Sequence, residues 1–463
     1  MPPPLAAFLT IGFIVYLFRR DIREKPNVTR ALWIPFVWTF ICGTRAVTEW
    51  LNFFGLNLGA IRLEEGSPVD RLIYIMLIAA GVMVLYRRRV RLATIAQNNQ
   101  WLTIFLAYCL ISVIWSDYPF VALKRLIKVI GHPVMALVVL TEPDPQEALT
   151  RVLKRVAYII LPVSILFIKY YPQYGRVFEP WSGMPSNTGI TSSKNLLGCD
   201  LLILGYFFVW HTLRTWRQPR GKARQRELFF CGGFLFLVYY LFSRCDSKTA
   251  FVSLLVGLFI LILAGFRWLD KRLIGVYILL IGVGLMLAQT FFGIYEVVLK
   301  MLGRNATLTD RTLLWQDLLR ADINPILGAG FESFWIGPRL FYYWSRWAFK
   351  PNQAHNGYLE TYLTLGLVGL ALLVILLLAT YGKSQRMLLT HFEWGRFRLG
   401  FLFAVIAYNW TEAAFKATHF IFLLFYIIAL DYPNIWRRSA TPAAAPPKAS
   451  RERMREPTLV GTR

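Results

Sequence analysis

The sequence predicts an all-α polytopic membrane protein, and three observations carry that prediction. Apolar runs of membrane-crossing character recur along almost the whole 463-residue chain. The chain is 56% hydrophobic and 16% aromatic but only 17% charged, where a soluble protein would carry about 25% charged residues. The charges gather in short turns between the apolar runs. The formal net charge of +25 therefore reads as the positive-inside bias of membrane loops, and no nucleic-acid partner is expected.

The apolar segments fall at about 4–18, 31–44, 70–86, 100–115, 121–140, 153–170, 196–213, 228–243, 249–266, 273–292, 356–381, 397–411 and 417–431. They give about 12–13 transmembrane helices, several shorter than the usual ~20 residues. Pro2, Pro3 and Pro4 replace a basic leader and no small-residue cleavage site follows the first helix, so no cleavable signal peptide is expected. The five cysteines (Cys42, Cys109, Cys199, Cys231 and Cys245) form no CxxC pair and mostly lie in apolar runs, which implies neither a disulfide framework nor a metal site.

Loop charges alternate. Arg19–Arg30, Arg87–Arg91, Arg151–Arg155, RTWRQPRGKARQRE at 214–227, Arg267–Arg272, Lys383–Arg398 and the tail from Arg437 are basic; Glu49–Asp70 and the WSDYP turn at 115–119 are acidic. This alternation places the tail in the cytoplasm and loops 171–195, 243–249 and 293–355 on the opposite face, with the N-terminus also outside if there are thirteen spans. The expected organisation is a set of N-terminal transmembrane helices over 1–292, one large loop over 293–355, C-terminal helices over 356–436 and a disordered Ala/Pro/Arg-rich tail over 437–463. No internal repeat is evident.

Chemistry-bearing residues collect in the three outer loops. The first, rich in Gly, Ser, Thr, Asn and aromatics, reads either as a solvated turn or as a sugar-facing surface, and it contains Arg176. It ends in Lys194 and Asn195 at a helix start, where a cation and exposed backbone N–H groups suit an anion. In SRCDSKTA at 243–250, Arg244 and Lys248 run against the positive-inside bias; they either snorkel to headgroups or bind phosphate or pyrophosphate. In the long loop, TDRTLLWQDLLR has the spacing of a short amphipathic helix capped by Thr309 or Asp310, with Leu313, Leu314, Leu318 and Leu319 apolar. Arg311 falls in its first turn, against the helix dipole, which points to a reason other than helix stability. Gly328 and Gly330 in NPILGAGFESF allow close backbone approach. His355 and Asn356 precede the next apolar helix, and Glu360 follows about one turn later. There is no nucleotide-binding glycine loop, no HExxH and no DxD in an outer loop, so a metal-free site built on fixed cations, with no cofactor, is the economical reading.

DRTLLW at 310–315, NPILGAGFESF at 324–334 and AHNGYLETYLTLGLVGL at 354–370 resemble the O-antigen ligase and O-antigen polymerase-like superfamily, as do WSDYP, SSKNLLG and SRCDSKTA before them. The resemblance spans about residues 100–430. It implies a GT-C-type glycosyltransferase, independent of metal, that takes a glycan from an undecaprenyl-pyrophosphate donor and inverts the anomeric carbon. It further implies a site on the periplasmic face of a bacterial inner membrane. The family's essential His falls on His355 and its loop Arg on Arg311. Its second Arg falls on Lys248, where a compact point charge replaces a bidentate fork, and Arg244 shares the load. On this basis His355 and Arg311 are the candidate catalytic residues, Lys248, Arg244 and Arg311 the pyrophosphate binders, and Arg176, Lys194, Asn195, Asn356 and Glu360 the substrate contacts. Expected partners are the lipid-linked donor, a glycan or lipid A-core acceptor, membrane lipid and other polysaccharide-assembly proteins. Polymerase and ligase both fit; a lipid-linked glycan flippase is the alternative of another class, disfavoured because ionisable residues gather at one membrane face rather than at mid-span.

Overall fold

The computed structural model of the chain describes residues 1–56, 66–178, 183–293, 311–415 and 419–432. The tail 437–463, the loop stretch 294–310 and the Thr309 or Asp310 cap lie outside the described residues.

Each apolar segment read from the sequence is a helix. They are α1 (Pro3–Arg23), α2 (Trp33–Cys42), α4 (Pro68–Arg87), α6 (Gln100–Ile111), α7 (Pro119–Leu140), α8 (Pro145–Tyr170), α10 (Lys194–Trp216), α11 (Lys222–Cys245), α12 (Lys248–Leu263), α13 (Ile274–Phe292), α16 (Gly357–Thr390), α17 (Phe392–Thr411) and α18 (Phe420–Ala429). Short helices join them: α3 (Val47–Phe53), α5 (Leu92–Asn98), α9 (Pro172–Gly175), α14 (Arg311–Leu318) and α15 (Gly337–Arg346). Among the described residues the sole sheet is a two-stranded antiparallel ribbon, β1 (Arg176–Phe178) against β2 (Pro185–Asn187), within a loop the sequence leaves unstructured.

The chain is an all-α multi-pass membrane protein. Five described helices are long and apolar enough to cross a membrane unaided, or six if the pair α2–α3, bent by 72°, makes one span. The remaining helices that match apolar segments are shorter or carry charges. The difference from 12–13 full spans is one of helix length and charge, not of helix formation. In α8, Arg151 and Arg155 pair with Asp21 of α1 at 2.8 Å, which supplies the counter-charge that cations on an apolar helix need.

Helices α8, α10, α17 and α18 form the centre: every residue of α18 is buried, whereas α4 and α13 keep most of their apolar surface exposed, as helices facing lipid do. Small residues set the closest crossing. A Cβ on Gly257 of α12 would sit 2.9 Å from the Ala404 Cβ and 3.1 Å from the Gly400 carbonyl of α17, so these helices meet backbone to backbone. That contact fixes the start of α12 beside the end of α17.

The long loop is an ordered lobe. Leu314, Leu318, Phe334, Trp335, Leu340, Tyr343 and Ala354 pack into their own small core with Leu363 of α16. Of the four leucines expected along the α14 stripe, Leu314 and Leu318 are buried and Leu313 and Leu319 are exposed, because one turn of an eight-residue helix covers a narrow face. The NPILGAG turn inserts into a break in α16 at Gly366, which has φ +66°. Leu367 N donates to Pro325 O at 2.9 Å and Ala329 N to Leu363 O at 3.0 Å. Gly328 sits at φ +72°, and a Cβ there would lie 2.5 Å from the Gly366 nitrogen, the close approach the glycines predict.

Candidate active site

The candidate residues stand at one end of the bundle, where α10, α12 and α16 begin and α17 ends. Arg311, the first residue of α14, reaches across to the end of α17: its guanidinium donates to the Thr411 carbonyl and, at 2.8 Å, to Glu412 Oε1. Asn195, in the first turn of α10, donates to the same oxygen at 2.8 Å. His355 Nδ1 stands 3.4 Å from the other oxygen, Oε2. One buried carboxylate therefore gathers three residues from two separate outer loops.

Glu412 lies just past the end of α17. Burial pushes its carboxyl upward, but the Arg311 charge and the His355 hydrogen bond outweigh burial and hold it down at about 2, from an ordinary 4.5. It is a permanent anion at neutral pH. With Nδ1 facing that anion, the imidazole proton belongs on Nδ1 and Nε2 is left as the basic nitrogen. Among the described residues Nε2 takes no hydrogen bond, and the half-buried ring leaves it reachable. His355 itself has φ +50°, a left-handed backbone that is uncommon for a non-glycine residue and characteristic of positions held by their surroundings.

Several candidates have structural partners of their own. Asn356 caps α16, its Oδ1 accepting from Tyr358 N and Leu359 N at 3.0 Å, and so sets the helix start beside His355. Glu360 is buried and accepts from Trp335 Nε1 at 3.0 Å and Ala354 N at 2.7 Å, tying the lobe to α16. The carboxylate facing the imidazole is Glu412, which is absent from the residues the sequence singles out. Lys248, half-exposed at the start of α12, pairs with Asp246 at 3.2 Å. Its neighbour Thr249 bonds Thr411 through their hydroxyls at 2.7 Å, which brings the Lys248 turn to the residue that Arg311 grips. Arg244 is exposed, stacks over Tyr240, and accepts Asn187 through its carbonyl at 2.8 Å. Lys194 opens α10 behind the Ser193 cap. Arg176 is exposed on the ribbon and donates to Ile168 O at 3.0 Å. The WSDYP turn packs on the lobe: Ser116 meets Ser333 at 2.6 Å, and Trp115 donates to Leu327 O at 3.2 Å.

A second titratable group sits at the far end of α10, about 24 Å from Asn195 at 1.5 Å per residue. His211 Nε2 lies 2.9 Å from Glu227 Oε1, with Cys231 close enough to complete a three-ligand set. Lys154 and Arg20 already pair with Glu227 there, and two cations at the anionic ligand oppose a metal ion.

A sequence model of the family described as O-antigen ligase matches residues 232–374. The exopolysaccharide production protein ExoQ of Rhizobium meliloti is 28% identical over 305 residues, 62% of this chain and 66% of that protein, just short of two thirds of its length. A putative polysaccharide ligase of Rickettsia felis is 24% identical over 77% of this chain and 80% of its own. Another, from Rickettsia typhi, is 24% identical over 72% and 75%. These matches support the O-antigen ligase and polymerase-like superfamily, a family of polysaccharide polymerases and ligases.

Proposed function

We propose that the protein is a membrane glycosyltransferase of GT-C type that transfers glycan from an undecaprenyl-pyrophosphate donor, polymerising exopolysaccharide or O-antigen repeat units. The observation that carries this reading is the Glu412 node, which holds Arg311 and His355 together at one membrane end. His355 Nε2 accepts the proton of the acceptor hydroxyl as its oxygen attacks the anomeric carbon. The bond from that carbon to the pyrophosphate oxygen breaks, and the lipid pyrophosphate leaves with the electron pair. A single displacement of this kind inverts the anomeric centre. Glu412 orients the imidazole and stabilises the imidazolium, as a buried carboxylate does beside a general base.

Charge accumulates on the leaving pyrophosphate, so cations fixed at that position favour the transition state over the ground state. Arg311 and Lys248 fill this role, with Arg244 and Lys194 at the rim. The donor set speaks for catalysis without a metal: both Glu412 oxygens are engaged by Arg311, Asn195 and His355. Loop-charge alternation supports placing this end on the non-cytoplasmic side, which in this reading is the periplasmic face of the inner membrane.

Similarity to an exopolysaccharide production protein supports polymerisation. The family's description and the Rickettsia relatives favour the second reading, a ligase acting on a lipid A-core acceptor. Incubating purified protein with lipid-linked repeat units, and separately with lipid A-core, decides between them. Chain extension without lipid A-core supports polymerase; transfer seen only with lipid A-core makes it a ligase. No transfer with either acceptor contradicts both.

A further inference from the structure

The N-terminal half carries a second concentration of cations that the proposed chemistry does not use. Helices α4 and α7 run parallel: Lys128 lies over the Tyr74 ring at 5.1 Å, Gly81 faces Val134 and Met135, and Arg88 Nη1 donates to Val138 O at 2.8 Å. Between their first halves is a groove of about 150 Å³. It is lined along α4 by Arg71, Tyr74, Ile75 and Ile78, and along α7 by Val121, Lys124, Arg125, Ile127 and Lys128. On α4 this is an i, i+3, i+4, i+7 stripe, and α7 adds Ile127 at i+6 to the same pattern, so one face of each helix builds one wall.

No carboxylate lines the groove among the described residues. The nearest acids, Asp70 and Glu332, are within electrostatic reach of Lys128 and are outnumbered by Arg71, Lys124, Arg125 and Lys128. Asp70 accepts from Thr48 N at 2.9 Å, and Glu332 offers its backbone carbonyl to Arg125. Both helices also begin at this end, at Pro68 and Pro119, and point their positive dipole ends toward it. The loop charges put this end outside, where cations run against the positive-inside bias. Beside the cations, Ile75 and Ile127, which are 50% and 43% exposed, open onto the lipid-facing surface of α4 and α7, and Ile78 continues the apolar side along α4.

An anion with an apolar chain satisfies this arrangement, and a free inorganic anion leaves its lipid-facing apolar side unmatched. We propose that the α4–α7 groove binds the phosphate of a lipid anchor, that of the acceptor substrate, so that donor and acceptor lipids occupy separate sites. This rests on the glycosyltransferase reading, in which a polymerase or ligase acceptor is itself a phosphate-bearing lipid. The Arg125 contact to Glu332 links the groove to the lobe that presents His355.

The test is native mass spectrometry of the full-length protein in neutral phosphatidylcholine nanodiscs, with undecaprenyl pyrophosphate as the probe. Wild type is expected to bind two molecules. The double variant Lys124→Gln with Lys128→Gln should retain one and bind the other about tenfold more weakly or not at all, with an unchanged melting curve. Lys248→Gln should lose the other molecule instead. Two molecules on the groove variant would overturn the proposal, as would displacement of the groove-bound lipid by equimolar phosphatidylglycerol or by inorganic pyrophosphate. If wild type binds a single molecule that Lys248→Gln removes, the groove assignment falls and the donor site stands. A single molecule removed only by the groove variant leaves the groove standing and contradicts the donor site.

Discussion

In the proposed chemistry, Glu412 orients the His355 ring through the contact to Nδ1 at 3.4 Å. It was hidden from the sequence because it is a single acid in the short turn between two apolar segments, with no motif around it. One signal was available: loop-charge alternation puts that turn on the same face as Arg311 and His355, and a lone acid there invites a search for its cation. His355 and Arg311 were legible through the resemblance, and the energetics explain why they need a third residue. Replacing Glu412 with Ala strips the partner from a largely buried guanidinium, a change that costs about 3–5 kcal/mol in buried pairs. The pH dependence has a definite sign. A carboxyl depressed from 4.5 to about 2 contributes stability that is fully present above about pH 4.5 and is lost as pH falls toward 2. Thermal unfolding in detergent between pH 6 and 2 should therefore show wild type losing its advantage over Glu412→Gln across that interval. A pH-independent difference between the two would contradict the assigned charge.

At the scale of elements, hydropathy reported helices faithfully and their junctions poorly. The spacing of Gly328 and Gly330 predicted a close backbone approach, and the structure supplies its partner, the break at Gly366 in α16. No local pattern announces that break, because the residues around Gly366 read as uninterrupted apolar helix; the left-handed conformation is imposed by the inserted NPILGAG turn. A Cβ on Gly366 would lie 2.1 Å from the Ile326 carbonyl, and the backbone sits at φ +66°. Gly366→Ala should cost more than about 1 kcal/mol and loosen the lobe. Limited proteolysis within 311–355 is the readout: faster cleavage than wild type is expected, and unchanged protection would show that the turn does not depend on the break. The β1–β2 ribbon escaped the sequence for a related reason, since Arg176–Phe178 and Pro185–Asn187 are too short and exposed to show alternation.

For the whole molecule, the orientation inferred from charge gives the site its biological side. The five native cysteines are all buried, which permits single introduced cysteines to report exposure. Tyr342→Cys in the lobe should react with a membrane-impermeant maleimide in intact spheroplasts, and Arg220→Cys only after permeabilisation. The opposite pattern would place the His355 end in the cytoplasm and remove the proposed access to an outer-leaflet donor. The number of full spans was the least legible global property. Hydropathy counts apolar runs, whereas α1 and α8 combine such runs with Asp21, Arg151 and Arg155, which the pairing of the two helices brings into ion pairs.

The most direct test of the account is the size profile of surface polysaccharide from a deletion strain complemented with wild type or with His355→Ala, at matched membrane levels of protein. The account predicts long polymer with wild type, and with His355→Ala no long polymer and an accumulation of single lipid-linked repeats on the outer face. Wild-type-length polymer from His355→Ala, or lipid-linked repeats trapped on the cytoplasmic face, would contradict it.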